Sequence, residues 1–430
     1  MGGMLAAGRP TGTMDTGANT RHPEDTDPRR WRMLALLATA ELLGMSVWFS
    51  GSAVASPLAE RWALDGAQVG WLTTAVQLGF VLGTALSALL NLADVVPARA
   101  LFASTATLGG LANLGLALAP DYPTALLSRA LCGMCLAGVY PPAMKMAATW
   151  FRAQRGLAVG TVVGALTIGK AGPYLAQAMP SLGVDTVVLV TSACTLLAAA
   201  LVWWRYADGP HAFPARRFSW SMVATVVGTR RWRLATGGYL GHMAELYSYW
   251  TWIPAFLLAS AQEPGAPMVS PRFLGALSFG VIAVGGIGCV WGGLVADRIG
   301  RAALVTRAMA ISGSCALLIG LAFGRSWWLL APLALVWGFF VIADSAQFSV
   351  LVTESVPPHA VGTALTLQTS LGFLLTTITI QLVPLVVARA GWAWAFGLLA
   401  LGPMLGILAI RRLTVVQTYD GSPNGGTQTA

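Results

Sequence analysis

Gly293-Leu294-Val295-Ala296-Asp297-Arg298-Ile299-Gly300-Arg301 is a charged turn between two long apolar blocks, and it has an echo earlier in the chain. Leu92-Ala93-Asp94 stands 203 residues before Val295-Ala296-Asp297. Two further pairs keep nearly the same register. Ala40-Glu41-Leu42 with Trp48 recurs as Ala244-Glu245-Leu246 with Trp252, an offset of 204, and Gly160-Thr161 recurs as Gly362-Thr363, an offset of 202. Each match alone is short, but three in order at a near-constant offset mark an internal duplication.

The duplicated material is apolar. Of the 430 residues 56% are hydrophobic and only 10% charged, against roughly 25% charged in a soluble domain. Twelve apolar blocks can be read, at 33–55, 69–90, 99–119, 123–147, 155–178, 184–206, 234–259, 272–295, 303–323, 327–349, 361–387 and 392–411. Their length suits a bilayer core of about 30 Å. The expected fold is an all-α membrane protein with twelve transmembrane helices in two parallel six-helix repeats. Alternating the sides from a cytoplasmic N-terminus leaves Arg61, Arg272, Arg325 and Arg389 outside and nineteen arginines inside. That positive-inside bias puts both termini in the cytoplasm. The net charge of +9 is thereby a topology signal, and no nucleic-acid role is expected.

The expected organisation is a disordered tail at 1–32, a six-helix half at 33–206, a cytoplasmic linker at 207–233, a second half at 234–411 and a tail at 412–430. The first tail is polar and does not read as a cleavable signal. All five cysteines fall in apolar blocks. Cys132-x-x-Cys135 lacks a second Cys or His pair to complete a metal site, so packing is the expected role. No Gly-x-x-x-x-Gly-Lys-[Ser/Thr] sequence is present, which argues against ATP coupling. No cofactor and no metal are expected.

The turn from Gly293 to Arg301 resembles the cytoplasmic loop motif of the major facilitator superfamily. Its partner, Asp94 with Arg99, is degraded, because Pro97 stands where that family has Gly. The resemblance covers roughly residues 33–411 and implies a secondary transporter whose solute site lies between the halves. It also implies a conformational latch built from Asp94, Arg99, Gly293, Asp297, Arg298, Gly300 and Arg301. In such a latch an Asp can cap a helix N-terminus while the arginines pair across the half. Arg129 and Gly133 partly match another superfamily signature, with Cys132 in place of the usual Gln, in which the Arg serves proton relay or charge pairing. Gly160, Gly164, Gly169, Gly172 and Pro173 partly resemble the signature of superfamily exporters, although Lys170 intrudes and the spacing is short.

Ionisable side chains inside spans are functional candidates, because a charge there costs about 2.5–3.5 kcal/mol on insertion scales. Glu41, Arg129, Lys145, Lys170, His242, Glu245 and Asp344 are such residues. Glu41 and Glu245 are matched by the repeat and lead as proton sites, with Arg129, Asp344 and His242 as partners in a proton-coupling cavity. Seven residues is close to two helical turns, so Trp48 is expected on the Glu41 face. His242, Tyr249 and Trp252 are expected to share the Glu245 face. The spacing His242-x-x-Glu245 could suit a metal, but no other His lies in a span. Lys145 and Lys170 are the only two lysines; Lys145 can snorkel toward the cytoplasm, whereas Lys170 lies deeper. Trp48, Tyr140, Lys170, Tyr249, Trp252 and Gln347 are the candidate substrate contacts.

The expectation is a monomeric, proton-coupled secondary transporter of a small organic anion or zwitterion, multi-pass in the inner or plasma membrane. Its partners are a small-molecule substrate, protons and the lipid bilayer. A drug/proton antiporter and a non-transporting membrane sensor are the alternatives.

Overall fold

The computed structural model describes residues 27–152, 154–177, 183–211 and 219–420. Arg9, Arg21, Arg216 and Arg217, most of the two expected tails and the middle of the linker lie outside that range. Among the described residues all the regular structure is helical. In the first half α1 is Arg29–Gly44, α2 Gly66–Leu89, α3 Ala98–Ala117, α4 Tyr122–Ala148, α5 Arg155–Gln177 and α6 Val184–Arg205. In the second, α7 is Arg230–Gln262, α8 Pro271–Ile299, α9 Arg301–Ala322, α10 Trp327–Glu354, α11 Val361–Ala390 and α12 Leu401–Asp420.

Local chemistry starts several of these helices. Asp65 and Gln68 form a reciprocal capping box before α2, with both bonds at 2.8 Å. Asp121 caps α4 by accepting from the Thr124 N–H, and the Thr124 hydroxyl together with that N–H holds its carboxyl below the usual carboxylate range. Three helices are interrupted inside the protein. After α1 the chain passes through a tight turn at Met45–Val47 and two short helices, Ser50–Ala53 and Ala55–Trp62. α4 breaks after Leu136, just before Pro141 and Pro142, which lack a backbone N–H. α10 breaks at Asp344.

Nine segments among the described residues are long and apolar enough to cross a membrane: α2, α3, α4, α6, α8, α9, α10, α11 and Trp392–Gln417, which contains most of α12. The apolar blocks at 33–55, 155–178 and 234–259 are also largely helical, as α1, α5 and α7. These three carry Glu41, Lys170, His242 and Glu245, all buried. Polar side chains turned inward lower their hydropathy without making them unsuitable for a protein interior.

Several boundaries differ from expectation. α1 begins at Arg29 and α7 at Arg230, and α12 continues to Asp420, beyond the expected start of the second tail at 412. A helix need not stop where its apolar block stops, because arginine-rich turns continue it past the apolar stretch. Within the expected linker, Trp220–Gly228 is a further helix.

The helix pairings repeat. α1 packs on α5 and α6, α2 on α4, and α3 on α4 and α6; α7 packs on α11 and α12, α8 on α10, and α9 on α10 and α12. The close seams repeat too. A Cβ at Gly79 on α2 would run into the Ala130 carbonyl of α4, and one at Gly292 on α8 into the Ala343 carbonyl of α10. The halves meet chiefly where α5 lies on α8 and α2 on α11. At the first junction Gly164 and Gly286 face each other, and a Cβ on either would come within 2.9 Å of the other's carbonyl oxygen.

Candidate functional site

α5 and α7 converge on a buried cation. Lys170 is 2% exposed, and its Nζ donates to the Tyr247 hydroxyl on α7 at 2.6 Å. The ammonium also sits 4.1 Å from the Trp48 ring, 4.9 Å from Tyr247 and 5.4 Å from Trp250. Rings from both halves therefore enclose one positive charge within cation–π range. Trp48 packs in turn on Phe80 of α2 and Phe373 of α11, which touch each other across the halves at 4.5 Å.

Glu41 completes this centre. It is fully buried on α1, and neither carboxylate oxygen has a hydrogen-bond partner. Lys170 and Tyr140 both lie within electrostatic reach of it. Tyr140 is placed there because it begins the second segment of α4, after the break. The expected two-turn relation between Glu41 and Trp48 does not hold as a helix spacing, because α1 ends at Gly44 and a tight turn separates the two. Trp48 reaches the centre through that interruption.

Glu245 has a different environment from its repeat partner. Its two oxygens accept from Ser312 on α9 and from Trp337 Nε1 on α10, both at 2.8 Å. Two residues along a helix is about 200° of rotation, so Glu245 turns into the second half while Tyr247 turns toward the first. Tyr249 and Trp252 go with Glu245. Their polar atoms donate to the Ala334 and Ile380 carbonyls at 2.8 and 2.9 Å; Tyr249 thereby packs within the second half, while the Trp252 ring also lies against Gly70 of α2. His242 reaches Asp344 rather than Glu245: Nδ1 lies 2.9 Å from Oδ1, with both residues buried. Gln347, in the turn after Asp344, is buried on α10.

Arg129 is fully buried and, among the described residues, bonds to no carboxylate. Its guanidinium donates to Ser50 Oγ, Asn113 Oδ1 and the carbonyls of Val47 and Trp48. Those carbonyls belong to the interrupted stretch after α1, where the regular i to i−4 ladder is missing. Arg129 supplies the lost donors, and none of the hydrogen bonds it makes goes to Glu41 or Glu245. Asn113 fixes the guanidinium from the far side and also donates to Ser192 on α6 at 2.9 Å.

The latch residues are arranged differently from the expected cap. Asp297 is exposed in the last turn of α8, and the residue before α9 is Gly300, at φ +86°. That left-handed conformation favours glycine. No side-chain hydrogen bond caps α9, whose N-cap is Gly300, and α8 runs on to Ile299 with Asp297 inside it. Arg301 pairs with Glu354 at the end of α10 at 2.7 Å, and Arg298 is exposed. Gly293 lies beside the start of α5, 3.9 Å from the Gly156 carbonyl by its Cβ position. Arg99 stacks over Trp203, and the side chain of Asp94 lies outside the described residues.

Sequence reasoning missed Tyr247, Trp250, Asn113, Ser312 and Glu354. The spacing Tyr247-x-x-Trp250 on one face of α7 was the signal that pointed to a second, first-half-facing stripe. Among the described residues no His, Cys, Asp and Glu cluster is arranged to hold a metal.

The sequence matches the profile of the Major Facilitator Superfamily across residues 36–380. The chain belongs to this superfamily. One relative, a 3-(3-hydroxy-phenyl)propionate transporter of Escherichia coli (strain K12), is 28% identical over 169 residues. That match spans 37% of this chain and 41% of the relative. Two crystal structures of a bacterial homolog of the human lysosomal transporter Spinster, both inward-facing, one unoccupied and one occupied, share the fold. Their TM-scores are 0.64 and 0.67 at 14% identity, with 91% of this chain covered and 96% and 98% of theirs. Superfamily membership and the long apolar helices make this a multi-pass membrane protein of a transporter family.

Proposed function

We propose that this superfamily member carries a small organic anion together with a proton, by alternating access between two six-helix halves. Twelve spans, both termini in the cytoplasm, an inner or plasma membrane location and a monomeric carrier complete the reading. The observation that carries it is the buried Lys170 ammonium at the junction of the halves, within electrostatic reach of a carboxylate, Glu41, that has no hydrogen bond.

With Glu41 ionised, its charge offsets Lys170 and leaves little attraction for a second anion. When Glu41 takes a proton, the field of Lys170 is released toward the solute, and the substrate carboxylate replaces the Tyr247 hydroxyl on Nζ. The proton on Glu41 and the anion on Lys170 are then carried in the same step, so that the site stays near neutral in a medium where net charge is expensive. The surrounding rings give an apolar seat for the rest of the molecule. An aromatic carboxylate carried by the E. coli relative agrees with an anion of this kind. The test is direct binding of aromatic and aliphatic carboxylates to purified Lys170→Met. Loss of anion binding by about 10-fold or more, the size of a charged hydrogen bond, supports the reading. Unchanged anion binding, or gain of binding for organic cations that then enter the ring cage, favours drug/proton antiport instead.

A further inference from the structure

α10 is interrupted at Asp344, whose backbone (φ −91°, ψ −12°) ends one helix and starts the next. The Asp344 carboxylate lies 2.9 Å from His242 Nδ1 on α7, with the two side chains 1% and 2% exposed. The separation is that of an ion pair, yet no well-aimed hydrogen bond accompanies it at Oδ1, and the other imidazole nitrogen, Nε2, is buried without a partner. The rings of Phe348 and Tyr239 flank the imidazole at 5.2 and 6.1 Å.

The groups around this pair can be named helix by helix. On α7, Glu245 is within electrostatic reach of Asp344, with its own oxygens held by Ser312 and Trp337. From α8 the Cys289 thiol faces Asp344 while donating to the Ile342 carbonyl. Tyr239 is joined by Tyr140 of α4 and by the neutral Thr369 of α11, and α9 contributes Ser312. Lys170 and Arg129 are engaged elsewhere, with Tyr247 and with the stretch after α1. One carboxylate thus lies against the imidazole and a second lies within electrostatic reach of the first, and among the described residues neither is bonded to a lysine or arginine. A cluster of that composition has spare capacity for a proton, and each proton it accepts removes net charge from a buried site.

We propose that His242, Asp344 and Glu245 form a second proton-binding site, confined to the second half and separate from Glu41, with the proton shared between His242 and Asp344. Its position gives it a consequence. A protonated imidazole holds Asp344 by a charge-assisted bond and so ties the joint of α10 to α7. Loss of that proton leaves the joint free to change angle. The site is independent of how Lys170 and Glu41 handle the anion, and it predicts two proton-binding steps in the protein where the central site alone would supply one.

The experiment uses the full chain in lipid nanodiscs with 15N-labelled histidine. The chain has four histidines, and His242→Gln identifies the signal of the buried one. The expected result is an imidazole signal that responds to pH between about pH 5 and about pH 8, with a response that changes in Asp344→Asn and is unchanged in Glu41→Gln. A His242 signal that does not titrate across this range, or one that titrates identically in Asp344→Asn, overturns the proposal. Because the decisive titration is read on the wild-type chain, a variant that fails to fold does not shelter it. Loss of anion binding in Lys170→Met with normal His242 titration would leave this site standing, and anion binding without His242 titration would remove it alone.

Discussion

Lys170 donates to Tyr247 at 2.6 Å across the junction of the two halves, with its ammonium 4.1 Å from the Trp48 ring. One residue of α5 therefore joins the halves by a polar bond at the depth where both Glu41 and the aromatic cage are found. In an alternating-access cycle such a bond must break whenever the halves part here.

Tyr247→Phe keeps the ring and removes the acceptor. A hydrogen bond to a charged group contributes about 1.5–3 kcal/mol, partly recovered here because Phe still offers a π face to the ammonium. The expected outcome is a modest fall in Tm together with tighter anion binding, since the solute no longer competes with the phenol. Thermal unfolding and equilibrium binding on the same preparation check both signs.

Arg129 should be a structural residue whose loss is felt as instability. Arg129→Lys leaves Asn113, Ser50 and the Val47 and Trp48 carbonyls to one compact ammonium that cannot copy the planar fork. A destabilisation of about 3 kcal/mol or more is expected from buried polar atoms left unmatched. Chemical denaturation measures it. Near-wild-type stability with lost proton dependence would instead support the relay role implied by the superfamily signature.

The chain also closes over the start of α2. With its amide nitrogen toward the Ala67 carbonyl at 3.2 Å, Gln381 of α11 accepts from the Trp71 N–H at 3.2 Å and the Thr74 hydroxyl at 3.1 Å. Gly70 leaves room for this, since a Cβ there would meet Gln381 and Trp252. Gln381→Leu should weaken the contact and raise the population open at this end several-fold, as loss of about 1 kcal/mol implies. Spin-label distances between the starts of α2 and the ends of α11 report the shift.

How much of this was legible in the residues differs from element to element. The apolar blocks announced the helices, because helix length and burial depend on local composition, whereas which helix packs on which did not follow from the blocks. The matching of Glu41 with Glu245 in the repeat was correct as sequence but silent about surroundings. Which residues meet Glu245 is decided by Ser312 and Trp337, 67 and 92 residues away. The interruption after Gly44 was equally hidden, since Met45, Ser46 and Val47 contain no proline or glycine to signal it. Its donors come from Arg129 on a different helix. The cage around Lys170 needed three helices in register, and a single helical face could supply only Tyr247 and Trp250.

The central claim is that Glu41 is the proton that travels with the anion. The measurement is uptake of a labelled carboxylate into proteoliposomes under an imposed pH gradient, compared with counterflow at equal pH, for wild type and Glu41→Gln. The account predicts gradient-driven accumulation in the wild type, and its loss in Glu41→Gln with counterflow retained at a comparable rate. Accumulation that persists undiminished in Glu41→Gln would contradict it.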